Sequence, residues 1–285
     1  MDNNRKQKAS DNPQKRKPQS KTIKVAFSGS GFLAPTHAGF ACGLMDLGYK
    51  IIEVAGTSGG SIVAALIASG ANQARIKKIV FDNYPDNIVE KSNWTMFNAI
   101  RRKQFYINDG KVLENYLYEN LGETNFYQTR IPLTIMATNL TDNETIEFSR
   151  TKTPGVKLHF AARASSSVPY IYKPVNYEGK ILVDGGERNN IPTDKLTPGG
   201  LRVGVRILDG GNYDVSNIIG FSKQNINCLL DANEDNLVSW AKATGAKIAE
   251  IKCDPYDFLD ARINLEGKKD LFDRGYKAAQ KLING

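Results

Sequence analysis

The sequence predicts an α/β fold with a mostly parallel central sheet. Three observations carry that prediction. An apolar, β-favouring run at 23–27 leads straight into Ser28-Gly29-Ser30-Gly31. A helical stretch over 36–47, closed by Gly48, returns the chain to a second apolar run at 51–55. Strands joined through one helix in this way lie parallel and adjacent. The second run then passes through Gly56-Thr57-Ser58-Gly59-Gly60 into an Ala-rich apolar helix over 61–69. A serine between strand and helix is held in a strained conformation, and side chains two residues to either side would collide where the elements cross.

The remaining elements follow from pattern. Residues 1–21 are Lys, Gln, Asn, Ser and Pro with little to bury, which reads as a disordered tail ahead of one domain over 22–285. An amphipathic helix is expected at 72–83. The segment 84–108 mixes Tyr84, Trp94, Phe97 and Phe105 with Arg101, Arg102 and Lys103. It fits either a surface helix anchored by its aromatics or a flap that touches lipid. A helix over 110–121 takes Asp109 as its N-cap. Strands are expected at 133–138 and 144–149, then a short helix at 155–164 leading into Ala164-Ser165-Ser166-Ser167-Val168-Pro169. A strand at 180–183 ends on Asp184-Gly185-Gly186, which suits a carboxylate aimed into a crevice as well as an ordinary Asp-Gly turn. The alternation at 201–207 predicts a half-exposed strand near the sheet edge, and helices are expected at 216–243 and 268–283.

Composition removes several classes of function. The 285 residues are 41% hydrophobic, enough for a substantial core, and no apolar run approaches the length of a membrane span. The polar, charged N-terminus does not resemble a secretory signal. Cys42, Cys228 and Cys253 show no metal-ligand spacing, so neither a disulfide framework nor a metal site is expected. Residues 1–24 hold eight Lys/Arg against two Asp, and so carry six of the eight net positive charges. The nearly neutral body disfavours nucleic-acid binding. The tail suits attraction to anionic lipid.

A serine hydroxyl needs a base to become a nucleophile. With only His37 and His159 in the chain, a Ser–His–Asp triad has few ways to form, and Asp184 is the best-placed carboxylate. The glycine-rich loop after the first strand gathers backbone N–H groups for an anion, either a phosphate or the oxyanion of a reacting ester. Its spacing matches neither nucleotide fingerprint.

Several blocks together resemble the patatin-like phospholipases over about residues 22–283. They are the Gly loop with Thr36-His37-Ala38-Gly39, the Gly56–Gly60 turn, the stretch 161–169 with Pro174-Val175, Val183-Asp184-Gly185-Gly186 with Asn190 and Pro192, and Arg274-Gly275-Tyr276. The resemblance implies a three-layer α/β/α sandwich and a Ser–Asp dyad without histidine. Ser58 would be the nucleophile, Asp184 the base, and the backbone of Gly29, Ser30 and Gly31 the oxyanion hole. His37 would pack the loop. The chain departs from the family pattern at Ser30, where a glycine is usual, and at Leu33 and Ala34, where a basic residue and a glycine are usual.

The expectation is a lipid acyl hydrolase acting on membrane lipid or another acyl ester, cytoplasmic and peripheral at membranes, with no metal or organic cofactor. Two other readings stand beside it. One is a catalytically silent lipid-binding module of the same fold. The other is an anion- or nucleotide-binding module built on the Gly loop.

Overall fold

The computed structural model describes residues 21–82, 106–208, 210, 215–216 and 218–285. The tail and most of the aromatic and basic segment at 84–108 lie outside the described residues.

β1 (Lys21–Phe27) runs through a 3-10 turn into α1 (Ala34–Asp46), then β2 (Tyr49–Thr57), α2 (Gly59–Ala68) and α3 (Gln73–Asp82). β1 and β2 pair in parallel as expected. A short β3 (Tyr106–Asn108) precedes α4 (Lys111–Leu121). The cap position of α4 is Gly110 in a left-handed conformation rather than Asp109. Asp109 still serves the helix end, its carboxylate accepting from the Lys111 N–H at 2.9 Å.

β4 (Leu133–Asn139) and β5 (Glu144–Ser149) form an antiparallel hairpin. The next helix, α5, is Leu158–Ser165 and starts later than its sequence suggests. Residues 153–156 instead form a turn whose carbonyls meet the 126–127 backbone. β6 (Tyr170–Tyr172), β7 (Val175–Tyr177), β8 (Lys180–Asp184), the single-turn α6 (Gly186–Asn189), β9 (Arg202–Leu208), α7 (Ile218–Ala243), β10 (Lys247–Lys252) and α8 (Leu265–Asn284) complete the order.

The main sheet runs β10-β9-β1-β2-β4-β8-β7, with β5 also on β4. From β10 to β4 all neighbours are parallel, while β5, β8 and β7 join by antiparallel pairing. β9 lies near the sheet edge as expected, one strand in, with β10 paired outside it. It is not half-exposed, however: Arg202 and Arg206 are both buried. The Arg202 guanidinium donates to the Thr244 carbonyl, and Arg206 pairs with Glu234 of α7, so the charges that suggested solvent are satisfied inside.

Ile23, Val25, Phe27, Val203 and Val205 point from the sheet into the main apolar core, which includes Phe40 and Leu44 of α1 and Leu66 of α2. Small side chains, Ala26 and Ala55, occupy the opposite face and meet Leu196. α7 covers that second face through Arg206, so helices lie on both sides of the sheet.

The three partners of β4 share its two edges. β5 pairs along Thr134 to Asn139. The other edge takes β2 against Leu133 to Met136 and β8 against Ala137 to Asn139. β2 runs with β4 and β8 against it, so their C-terminal ends arrive from opposite directions at adjacent residues. Thr57 pairs with Met136 and Asp184 with Ala137.

Candidate active site

Ser58 is the residue that follows Thr57, at the mouth of α2. Its backbone sits at φ 50°, ψ −127°, which a side chain rarely adopts and which costs about 1–3 kcal/mol. Local bonds hold it there. The Ser58 N–H donates to Ser165 Oγ at 2.8 Å, and its carbonyl accepts from the Ser61 N–H at 2.9 Å and from Ser61 Oγ at 2.6 Å. The crossing of β2 and α2 excludes side chains on either side. A Cβ on Gly56 would meet the Gly60 carbonyl oxygen at 2.7 Å, and one on Gly60 would meet the Ser28 carbonyl oxygen at 2.3 Å. The N-terminus of α2 presents partial positive charge beside Ser58.

Asp184 closes β8 and is buried. Its Oδ1 accepts from the Gly186 N–H at 2.8 Å. Oδ2 is buried without a formed hydrogen bond. Burial pushes the carboxyl up to about 7, against the Ser58 hydroxyl and the Gly186 N–H, which favour its charged form. The hydroxyl therefore lies near the carboxylate, although the bond between them is not closed.

The end of α5 ties the two strand ends together. Besides Ser165 Oγ on Ser58, the Ser165 carbonyl accepts from the Gly185 N–H at 3.2 Å and the Ser167 carbonyl from the Asp184 N–H at 3.0 Å. Thr57 Oγ1 donates to the Asn189 carbonyl at 2.7 Å. Arg163, buried one turn earlier, donates to Ser167 Oγ at 2.6 Å and to the carbonyls of Asp109, Gly110 and Lys173 at 3.0–3.2 Å. In the sequence Ser165 appears only within a serine run and Arg163 carries no signal. Both position the site.

The Gly loop lies against the mouth of α2, where a Cβ on Gly59 would meet Ser30 Oγ at 2.5 Å and the Gly31 carbonyl oxygen at 2.7 Å. Sequence reasoning missed one commitment of this loop. The Gly29 N–H already donates to the Asn190 carbonyl at 3.0 Å. The Asn190 side chain donates in turn to Glu234, whose other oxygen accepts from Arg206 Nε at 2.6 Å. Burial raises the Glu234 carboxyl, and Arg206 opposes that rise.

Neither histidine is placed as a base. His37 is fully buried, and its Nε2 bonds the Ser28 carbonyl at 2.8 Å, below the loop. Burial pushes its pKa down to about 3. It packs edge-on to Phe27, at 5.3 Å between ring centroids. His159 lies at the start of α5, edge-on to Tyr118 at 5.4 Å, six residues and so about 9 Å along the helix from Ser165. Among the described residues no three His, Cys, Asp or Glu side chains gather closely enough to hold a metal ion, and no helix is long and apolar enough to cross a membrane.

A family model described as Patatin-like phospholipase matches residues 25–197, which include the Gly loop, Ser58 and Asp184. The chain is similar to the uncharacterized protein R571 of Acanthamoeba polyphaga mimivirus, 30% identical over 182 residues, 61% of each chain. It is also similar to the omega-hydroxyceramide transacylase of Homo sapiens, 30% identical over 61% of this chain and 33% of that one. The matches thus span less than two thirds of these relatives' own length. Among solved structures, VipD from Legionella pneumophila superposes with a TM-score of 0.58 at 15% identity, over 94% of this chain and 67% of that one, which shows a shared fold.

Proposed function

Because this chain belongs to the patatin-like phospholipase family, we propose that it is a lipid acyl hydrolase using Ser58 as nucleophile and Asp184 as its only base. One observation carries the reading. A serine in a strained turn at a helix mouth and a buried carboxylate end their strands side by side on one edge of β4.

In the reaction, Asp184 takes the Ser58 hydroxyl proton as Oγ attacks the acyl carbonyl carbon. The carbonyl electron pair moves onto oxygen, facing the Gly loop and the first N–H groups of α2. Collapse returns that pair, breaks the ester bond and passes the proton from Asp184 to the departing alcohol. A water then attacks the acyl-Ser58 carbonyl and gives its proton to Asp184. The second collapse releases the acid and restores the Ser58 hydroxyl. A carboxyl of pKa near 7 is suited to both directions of transfer at neutral pH.

One member of the expected oxyanion hole is already engaged. Gly29, Ser30 and Gly31 are all expected to line it, but the Gly29 amide is taken by Asn190. The Ser30 amide, with Gly59 across from it, is assigned as a donor, and Gly29 keeps the loop in place.

The substrate is an acyl ester drawn from membrane or other lipid, with the protein meeting the lipid surface peripherally. A fluorophosphonate label mapped by mass spectrometry, followed by a panel of neutral and anionic acyl lipids, tests the proposal. Modification of Ser58 and release of fatty acid are expected. Labelling at another residue, or a labelled protein that turns over no acyl ester, overturns it.

A further inference from the structure

We infer that the Ser30 hydroxyl is itself a catalytic donor, a side-chain member of the oxyanion hole alongside backbone amides. The inference rests on the hydrolase reading above and adds a residue to its site.

Ser30 is 5% exposed, and its Oγ is buried with no hydrogen-bond partner. An orphaned hydroxyl inside a protein costs roughly 1–3 kcal/mol, so its persistence asks for a reason. Burial alone supplies none, because a glycine or alanine would avoid that cost. The position supplies one. Ser30 Oγ would lie only 2.5 Å from a Cβ on Gly59, the residue directly after Ser58 and the first of α2. The hydroxyl thus stands at the mouth of a ten-residue helix, next to the nucleophile, on the side from which loop amides converge.

The rest of the loop is occupied in holding itself. The Gly29 N–H goes to Asn190, the Ser30 carbonyl accepts from Leu33 at 2.9 Å, and the Phe32 N–H goes to the Phe258 carbonyl at 2.8 Å. The Ser30 hydroxyl is left over from this bonding. As Ser58 attacks, the carbonyl oxygen gains full negative charge and becomes a strong acceptor. An O–H held beside that position, with no bond to surrender, can turn toward that oxygen and interacts more with it than with the ground-state carbonyl. No proton leaves Ser30, and the electron pair stays on the oxyanion until collapse.

The test compares Ser30→Ala and Ser30→Gly with the unaltered protein on p-nitrophenyl butyrate, and measures inhibition by a short alkyl boronic acid, whose tetrahedral adduct mimics the oxyanion. Loss of one such donor is expected to lower kcat by about 10²-fold with little change in KM. Boronate affinity should weaken in step, and thermal stability should be unchanged or higher because the orphan is gone. Ser30→Gly stands in if Ser30→Ala does not fold. A folded variant of either kind with kcat within about threefold of the unaltered protein overturns the inference while the hydrolase reading stands. An unaltered protein that neither turns over the ester nor takes a fluorophosphonate at Ser58 overturns both.

Discussion

Thr57 and Asp184 close their strands against adjacent residues of β4, Met136 and Ala137, from opposite directions. The nucleophile follows the first and the base is the second, so their separation is fixed by backbone ladder pairing. The Ser165 hydroxyl and the carbonyls of Ser165 and Ser167 then secure what the ladder sets.

Ser58→Ala and Asp184→Ala are each expected to lower ester turnover by about 10³-fold or more, with the double variant little worse, because members of one catalytic unit are not additive. Steady-state kinetics on a soluble ester read this directly. A folded Asp184→Ala with near-normal turnover removes the carboxylate from the mechanism.

The same carboxylate links activity to pH. It must be ionised to accept a proton, so kcat/KM is expected to rise with pH and level off above about 7. The stability effect has the opposite sign. A carboxyl at about 7 when folded and 3.8 when unfolded binds more protons in the native state between those values, so its charging destabilises the fold as pH rises. Asp184→Asn should therefore be inactive yet more stable at pH 8, by up to roughly 4 kcal/mol, with the gain shrinking toward pH 4. Thermal melts across that range check it, and a variant less stable at pH 8 contradicts it.

His37 works the other way. Its folded value near 3 lies below the unfolded 6.5, so the unfolded chain takes up the proton first and stability is lost as pH falls through that window. In His37→Gln, which can still donate to the Ser28 carbonyl, the loss of stability between pH 7 and 4 should be smaller. His159→Ala should keep turnover within about tenfold, whereas a loss near 10³-fold would make His159 the base.

Glu234 sits on the far face of the sheet from α1 and reaches the site only through Asn190 and Gly29. Glu234→Ala is expected to destabilise by roughly 3 kcal/mol, the low end for a broken buried pair, since Asp235 still meets Arg206 at 2.9 Å. It should also lower kcat about tenfold by loosening the Gly loop. Denaturant unfolding together with ester kinetics separates the two effects, and an unchanged kcat in the destabilised protein would cut Glu234 off from the loop.

Removing residues 1–20 leaves β1 whole. If half of the six basic residues in 1–20 reach an anionic surface, the attraction is about 3 kcal/mol and falls with salt. The shortened protein should bind anionic vesicles less well and turn over a soluble ester unchanged. Equal vesicle binding at low salt would leave the tail without that role.

The parallel strands β1 and β2, the strained serine and the Asp-Gly-Gly strand end were legible because each is written in a few consecutive residues. β10 lies outside every expected element although Lys247-Ile248-Ala249-Glu250-Ile251-Lys252 alternates, because the run is only six residues long and half of them are charged. The alternation of β9 suggests half-exposure because Arg202 and Arg206 look outward, and their burial depends on partners in Thr244 and Glu234 that no local pattern announces. The Gly loop was found, but the engagement of Gly29 by Asn190 joins residues far apart in sequence. The head-on meeting of β2 and β8 was hidden for the same reason, because it exists only in the register of β4.

That register carries an evolutionary consequence. The ladder holding the reacting pair draws on β2, β4 and β8, while β3 pairs with β6 in a separate two-stranded sheet. Substitution of the exposed Tyr170 of β6 leaves that ladder where it was. Selection can therefore vary the surface of the small sheet while the chemistry is inherited intact.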